Sequence, residues 1–253
     1  MVRRVQRLYL INYYVLKLLM YMEIIAEIGQ NHNGDMVLAK ELICAAKESG
    51  ADVAKFQLFD AVKTFGKDNN PWFDYNCKTQ LSKEKLMTLF DECKKVDIEF
   101  MSSVFNIELI DWLEELNVKR YKIASRSIYD EALISRLLEI NKPLIVSLGY
   151  WKEKQFPVFL SKSEIKYLYC ISKYPTELKE LNLLEVDFTK YGGFSDHTLG
   201  INAAIIALSR GATIIEKHFT LDKNLYGPDH SCSMLPEELL AISNFKKELK
   251  LAL

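Results

Sequence analysis

The 253-residue chain carries 33 Lys and Arg against 34 Asp and Glu, a formal net charge of −1, with 49% hydrophobic and 26% charged residues. That balance suits one large soluble core and excludes the basic footprint that nucleic acid demands. The five cysteines are odd in number, scattered and without a C-x-x-C pair, which excludes a disulfide framework or zinc knuckle and points to a reducing cytoplasm.

Residues 1–22, "MVRRVQRLYLINYYVLKLLMYM", open with Arg3, Arg4 and Arg7 and continue apolar in the manner of a signal peptide. Asn12 and Lys17 interrupt the run, no small-residue cleavage site follows, and the segment is too short and broken to span a membrane. Two readings stay open: an extension dispensable to the fold, with Met20 or Met22 as the natural start, and an amphipathic surface helix. Residues 23–253 are read as one domain.

From Glu23 onward, short apolar runs alternate with helical periodicity. The candidate strands are residues 23–29, 51–57, 99–105, 120–125, 143–149, 167–172, 191–197 and 213–219. Between them, "MVLAKELICAAKESG" and "SKEKLMTLFDECKKV" repeat apolar residues every three or four positions, as helices covering a sheet do. "LGINAAIIALSRG" does the same and stops at Gly211, a C-cap, while "WKEKQFPVFLSKSE" contains Pro157 and predicts an abbreviated or irregular crossover after strand five. Eight strands alternating with helices predict an α/β fold of the (β/α)8 TIM-barrel class.

Nearly every strand starts apolar and ends polar: Glu27; Lys55 with Gln57; Ser102 with Ser103; Lys122 with Ser125; Ser147; Ser172; Ser195 with His197; Glu216 with His218. In a barrel these ends converge on the face where binding sites form. Either lysine alone could snorkel to water; on neighbouring strands the two favour a site for a small phosphate- and carboxylate-bearing anion, with serines assisting. His197 and His218 end adjacent strands, where two imidazoles either hold a borderline metal with open positions or are hydrogen-bonded structural groups. His32 and His230 fall in polar loops, with loop stabilisation and catalysis both open. In "GGFSDHTLG", Gly192 and Gly193 permit close packing, Thr198 or His197 could start the next helix, and Asp196 would orient its neighbours.

"AEIGQNHNGD", "AKFQ", "YKIAS", "CISKYPT", "GFSDHTLG" and "IEKHFTLDKNLYGPDHSCS" occur in this order. From about Glu23 onward the chain resembles the catalytic domain of the N-acetylneuraminate (sialic acid) synthase family, whose relatives also make legionaminic and pseudaminic acids. The resemblance implies a cytoplasmic carbohydrate-biosynthetic transferase condensing phosphoenolpyruvate with an open-chain N-acyl hexosamine such as N-acetylmannosamine, with C–O cleavage releasing phosphate. It further implies a divalent metal, Mn2+ or Mg2+, on His197 and His218; an essential acid or base at Glu27; donor contacts from Lys55, Lys122, Ser125, Ser147 and Ser195; and acceptor contacts from Gln57, Tyr174 and Asp229. Ser172 stands where the family often has a sugar-contacting asparagine.

The family usually continues into a small antifreeze-like domain that reaches over a partner's active site, and residues 1–253 hold no segment resembling it. The expected partners are therefore a second copy of the chain or a separately encoded antifreeze-like domain, besides the two substrates, with no nucleic acid and no membrane. Three functions remain open at this stage. An active synthase is one, a barrel that binds phosphoenolpyruvate-like anions without efficient turnover is another, and an aldol-type lyase working through a lysine adduct is the third.

Overall fold

A computed structural model of the protein describes residues 22–252; the expectation for residues 1–21 lies outside them. Met22, the first described residue, is buried against the core. Among the described residues, eight strands close into one barrel in chain order, each neighbour pair parallel: β1 (Glu23–Gly29), β2 (Val53–Leu58), β3 (Glu99–Val104), β4 (Tyr121–Ile123), β5 (Leu144–Ser147), β6 (Ile165–Cys170), β7 (Gly193–Asp196) and β8 (Ile214–His218). No helix among them is long and apolar enough to cross a membrane.

Because side chains alternate across a strand, every second residue enters the barrel. Ile25, Val53, Met101, Ile145, Leu168 and Ile214 form a separate apolar cluster that plugs the interior. Below this layer Arg120 grips Glu23 through both carboxylate oxygens, at 2.9 and 2.7 Å, and Glu99 at 2.7 Å. Two residues above it, the same inward columns present Glu27, Lys55, Ser103, Lys122, Ser147, Cys170, Ser195 and Glu216. The outward columns, such as Ile24, Ala26 and Ile28 on β1, join the surrounding helices in the main core.

The helical coat varies with sequence. In α1 (Met36–Glu48), Asp35 caps the first turn by accepting from Val37 and Leu38 amides, and Ala39, Leu42, Ile43 and Ala46 are buried. Between β2 and β3 the chain makes α2 (Ala61–Phe65), α3 (Phe73–Thr79) and α4 (Lys83–Lys95), where the sequence pattern predicted one helix. A single turn of helix, α5 (Ile110–Glu115), precedes β4, and α6 (Glu131–Ile140) follows it. As Pro157 foretold, residues 148–164 hold no helix; Trp151, Phe156 and Phe159 pack on the core instead. The β6–β7 crossover is also irregular, with two 3-10 turns at Leu178–Glu180 and Leu183–Glu185. In α7 (Asn202–Ser209) the chain leaves the helix through Gly211 at φ +97°, the predicted stop, and α8 (Pro236–Ala252) closes the coat.

Gly193 explains how β7 and β8 approach. A Cβ there would lie 2.1 Å from the Ile214 carbonyl oxygen and 2.6 Å from its Cβ, both on the rigid neighbouring strand. At Gly192 the nearest atom would be Lys166 Cβ at 3.3 Å, so the tight requirement falls on one glycine of the pair. Gly193→Ala is expected to destabilise the barrel by about 3 kcal/mol, as overpacking against backbone does. Urea unfolding measures this, and an unchanged midpoint and slope would contradict the packing argument.

Candidate active site at the barrel mouth

The polar layer opens into a cavity of about 480 Å³. Glu27, Lys55, Gln57, Lys122, Ser125, Ser147, Ser172, Tyr174, Ser195, His197, His218 and Asp229, the residues singled out in the sequence, all line it. So do Ser103, Cys170 and Glu216, which share inward parity with them, and Lys217, Arg126, Asn76 and Trp72, which sequence reasoning passed over.

At the floor, Lys55 and Lys122 are 2% and 1% exposed, which rules out snorkelling to solvent; they stand on β2 and β4, with β3 between them, and not on neighbouring strands as expected. Lys55 Nζ lies 2.7 Å from Glu27 Oε2 and 3.6 Å from Glu216 Oε2, and donates to Ser103 Oγ at 3.1 Å. Lys122 Nζ lies 3.6 Å from Glu216 Oε1 and donates to Ser147 Oγ at 2.8 Å and to the Ile123 carbonyl at 3.2 Å. Glu216 thus bridges the two ammonium groups, and the Ser195 hydroxyl donates to its Oε1 at 3.0 Å. Burial would push the Glu216 carboxyl up, but Lys122 and Lys55, with Ser195, hold it at about 2. Burial pushes Lys122 below its ordinary range, whereas for Lys55 the two glutamates overcome burial and raise it. Glu27 also accepts from Gln57 Nε2 at 2.9 Å, yet its Oε2 makes no aligned hydrogen bond, and neither does Glu216 Oε2. These buried oxygens have spare capacity facing the cavity.

Gly149 lets the polar groups of three strands converge. A Cβ there would lie 2.3 Å from Ser172 Oγ and 2.9 Å from both Cys170 Sγ and Ser125 Oγ, while the Gly149 amide donates to Ser125 Oγ at 3.0 Å. Ser125 starts the 3-10 turn Ser125–Ser127 that carries β4 to the rim.

The imidazoles of His197 and His218 lie 6.0 Å apart, with the Tyr174 ring 4.1 Å from the first and 5.9 Å from the second. His197 Nδ1 is 2.7 Å from the Ile171 carbonyl; a carbonyl can only accept, so Nδ1 carries a proton, and in the neutral ring the lone pair is on Nε2. His218 Nδ1 is buried without a hydrogen-bond partner, 4.0 Å from Asp229 Oδ2. An orphaned imidazole nitrogen beside a second imidazole whose tautomer is fixed by a carbonyl suits a metal-binding pair. No set of three or more His, Cys, Asp or Glu side chains among the described residues converges on one point, so the fit is to two protein ligands with the other positions left for water or substrate.

Asp196 does not cap a helix. Its Oδ1 accepts from the amide and hydroxyl of Thr198 at 2.9 and 2.8 Å, and Lys217 Nζ lies 3.2 Å from Oδ2 while donating to the Thr198 carbonyl at 2.6 Å. This fully buried clip fixes the backbone at His197. α7 begins at Asn202 with no side-chain cap, which corrects the expectation that Thr198 or His197 starts it: Thr198 is spent on Asp196. His32 and His230 stabilise loops. Burial lowers His32 to about 4 while its Nδ1 accepts from the Gly34 amide at 3.1 Å; His230 bonds Thr220 at 2.8 Å and Asn33 at 3.2 Å.

A sequence model of the NeuB family matches residues 42–253. N,N'-diacetyllegionaminic acid synthase of Legionella pneumophila is 41% identical over 244 residues, which cover 85% of this chain and 68% of that protein. N-acetylneuraminate-9-phosphate synthase of Drosophila melanogaster is 33% identical, with 88% of this chain and 68% of that protein covered. Among solved structures, the N-acetylneuraminic acid synthetase of Leptospira borgpetersenii, in complex with citrate, superposes with a TM-score of 0.82 at 29% identity, covering 91% of this chain and 84% of that one.

Replacing Glu216 by Gln would leave buried Lys55 with Glu27 alone and buried Lys122 with no carboxylate within 4 Å among the described residues, and breaking such a cluster costs about 3–5 kcal/mol. The folded carboxyl sits at about 2 against an ordinary 4.5, so its contribution is fully present above 4.5 and is lost as pH falls towards 2. Denaturant unfolding of wild type and Glu216→Gln is therefore expected to give a large gap at pH 7 that narrows below 4.5. A pH-independent gap would contradict the assignment.

Proposed function

The chain belongs to the NeuB family, and from that premise we propose that it is a nonulosonic acid synthase, condensing phosphoenolpyruvate with an open-chain N-acyl hexosamine and releasing phosphate by C–O cleavage. The observation that carries the reading is the buried Lys55–Glu216–Lys122 bridge beneath the His197–His218 pair: cations prepared for a small polyanion, next to a site for an aldehyde oxygen. Its support is chemical. A buried ammonium group gains most from a ligand that supplies more negative charge than the carboxylates it replaces.

The donor phosphate and carboxylate settle on Lys55 and Lys122, with the hydroxyls of Ser125, Ser147 and Ser195 completing their hydrogen bonds. As Lys55 turns to the donor, Glu27 loses the ammonium 2.7 Å from its Oε2, and that oxygen is left open to a water. Gln57, still bonded to Glu27, keeps that carboxylate aimed into the cavity and presents its own carbonyl to the sugar. Tyr174, Ser172 and Asp229 border the acceptor at the histidine end. His197 Nε2 and His218 would hold Mn2+ or Mg2+, which when bound supplies Lewis-acid polarisation of the aldehyde oxygen.

Fixed in this geometry, C3 of the enol attacks the aldehyde carbon and the new C–C bond leaves C2 electron-poor. Glu27 removes a proton from the water that adds to C2 and a proton passes to the former aldehyde oxygen, now a hydroxyl; the tetrahedral centre then collapses to the keto acid as the C2–O bond to phosphate breaks, its hydroxyl proton leaving with the phosphate. Donor, aldehyde and one water balance keto acid plus inorganic phosphate. Holding the alkene against the aldehyde is the larger contribution of the lysine pair, because alignment of two bound reactants lowers the barrier by several kcal/mol.

Incubation with Mn2+, phosphoenolpyruvate and a panel of N-acyl hexosamines is expected to yield phosphate and keto acid in equal amounts. Donor binding with no sugar-dependent turnover across the panel would support the non-catalytic anion-binding barrel instead. Lys122→Met is expected to lower kcat/KM for phosphoenolpyruvate about 10²-fold, the loss of one charge-assisted contact in a dry site. Dialysis against a chelator should abolish turnover and Mn2+ restore it; full activity after chelation would remove the metal from the reading.

A further inference from the structure

Four formal cations line the cavity, and three of them have carboxylates within 4 Å: Lys55 has Glu27 and Glu216, Lys122 has Glu216, and Lys217 has Asp196. Arg126 has no carboxylate partner among the described residues. Its guanidinium lies 4.5 Å from the Phe65 ring centroid and 5.6 Å from that of Phe105, and Nη2 donates to the Thr64 carbonyl at 3.3 Å. Two aromatic faces and one carbonyl thus fix the group without cancelling its charge, and most of its N–H donors remain unspent.

Position gives this charge its meaning. Arg126 sits in the Ser125–Ser127 turn after β4, exposed at the rim, whereas the lysines are buried on the floor. In the barrel order β4 lies across the mouth from β8, which carries His218. An acceptor with its aldehyde at the histidines and its chain laid across the mouth would bring its far end to Arg126. Phe65, Phe105 and Tyr150 border that end of the cavity and contribute no negative charge.

We propose that Arg126 is a specificity-determining residue that selects an acceptor sugar with an anionic group, a phosphate monoester or a carboxylate, at the end remote from its aldehyde. The inference rests on the synthase reading of the same cavity. A guanidinium held by ring faces presents a planar fork of donors, which matches both oxyanions in a two-point contact.

The test uses the full chain with Mn2+ and phosphoenolpyruvate, offered N-acetylmannosamine, its 6-phosphate and the corresponding 6-carboxylate. Steady-state rates are paired with calorimetric binding of each sugar to wild type, Arg126→Gln and Arg126→Lys. Wild type is expected to prefer one anionic sugar at least tenfold through KM, and which one identifies the oxyanion. Arg126→Gln should erase that preference with KM for phosphoenolpyruvate changed less than twofold, and Arg126→Lys should restore part of it. Indifference of wild type to the charge, or an Arg126→Gln effect confined to the donor, would overturn the assignment. If no sugar is turned over, the synthase reading fails by itself. The binding data then decide the Arg126 inference: a tenfold loss for the anionic sugar in Arg126→Gln supports it, and equal or undetectable binding of charged and neutral sugars sinks it.

Discussion

Two ammonium groups at the centre of a barrel are tolerable only because Glu27, Glu216, Ser103 and Ser147 share them. Either lysine alone at that depth would lose its proton or unfold the strands around it. Glu216 touches both, so the cluster stands or falls as a unit, and its position two residues before His218 ties the anion floor to the histidine pair through one strand. The apolar plug beneath supplies the dry surroundings that make these charges strong, and the Arg120–Glu23–Glu99 layer returns the lower end of the barrel to water.

This arrangement is also what makes the site responsive. At rest the lysines are balanced by side chains of the same chain. In the proposed reaction a donor anion would displace those carboxylates, and Glu27 would then be released where a base is needed.

Much of this was legible in sequence because parity is a local property. Ile25 and Glu27, Val53 and Lys55, Met101 and Ser103, Leu168 and Cys170 alternate apolar then polar at a spacing of two, and that spacing alone sends both residues into the barrel. Glu216 stands beside His218 among the polar strand ends, but its role as a bridge depends on Lys55 and Lys122 from other strands. Other features depend on what lies across a strand or loop. The clash that requires Gly193 arises from Ile214, the Asp196 clip from Lys217, and the polar base from Arg120 meeting Glu23 ninety-seven residues away. Arg126 carries no periodic signal, since it lies just beyond a strand and owes its setting to Phe65 and Phe105 on other elements.

In the proposed reaction the donor anion draws Lys55 away from Glu27. A crystal structure of the protein with phosphoenolpyruvate tests it most directly. The account predicts donor oxygens within hydrogen-bonding distance of both Lys55 and Lys122, with the Lys55–Glu27 separation grown well beyond its present 2.7 Å. A donor bound elsewhere in the cavity, or bound with that ion pair intact, would contradict it.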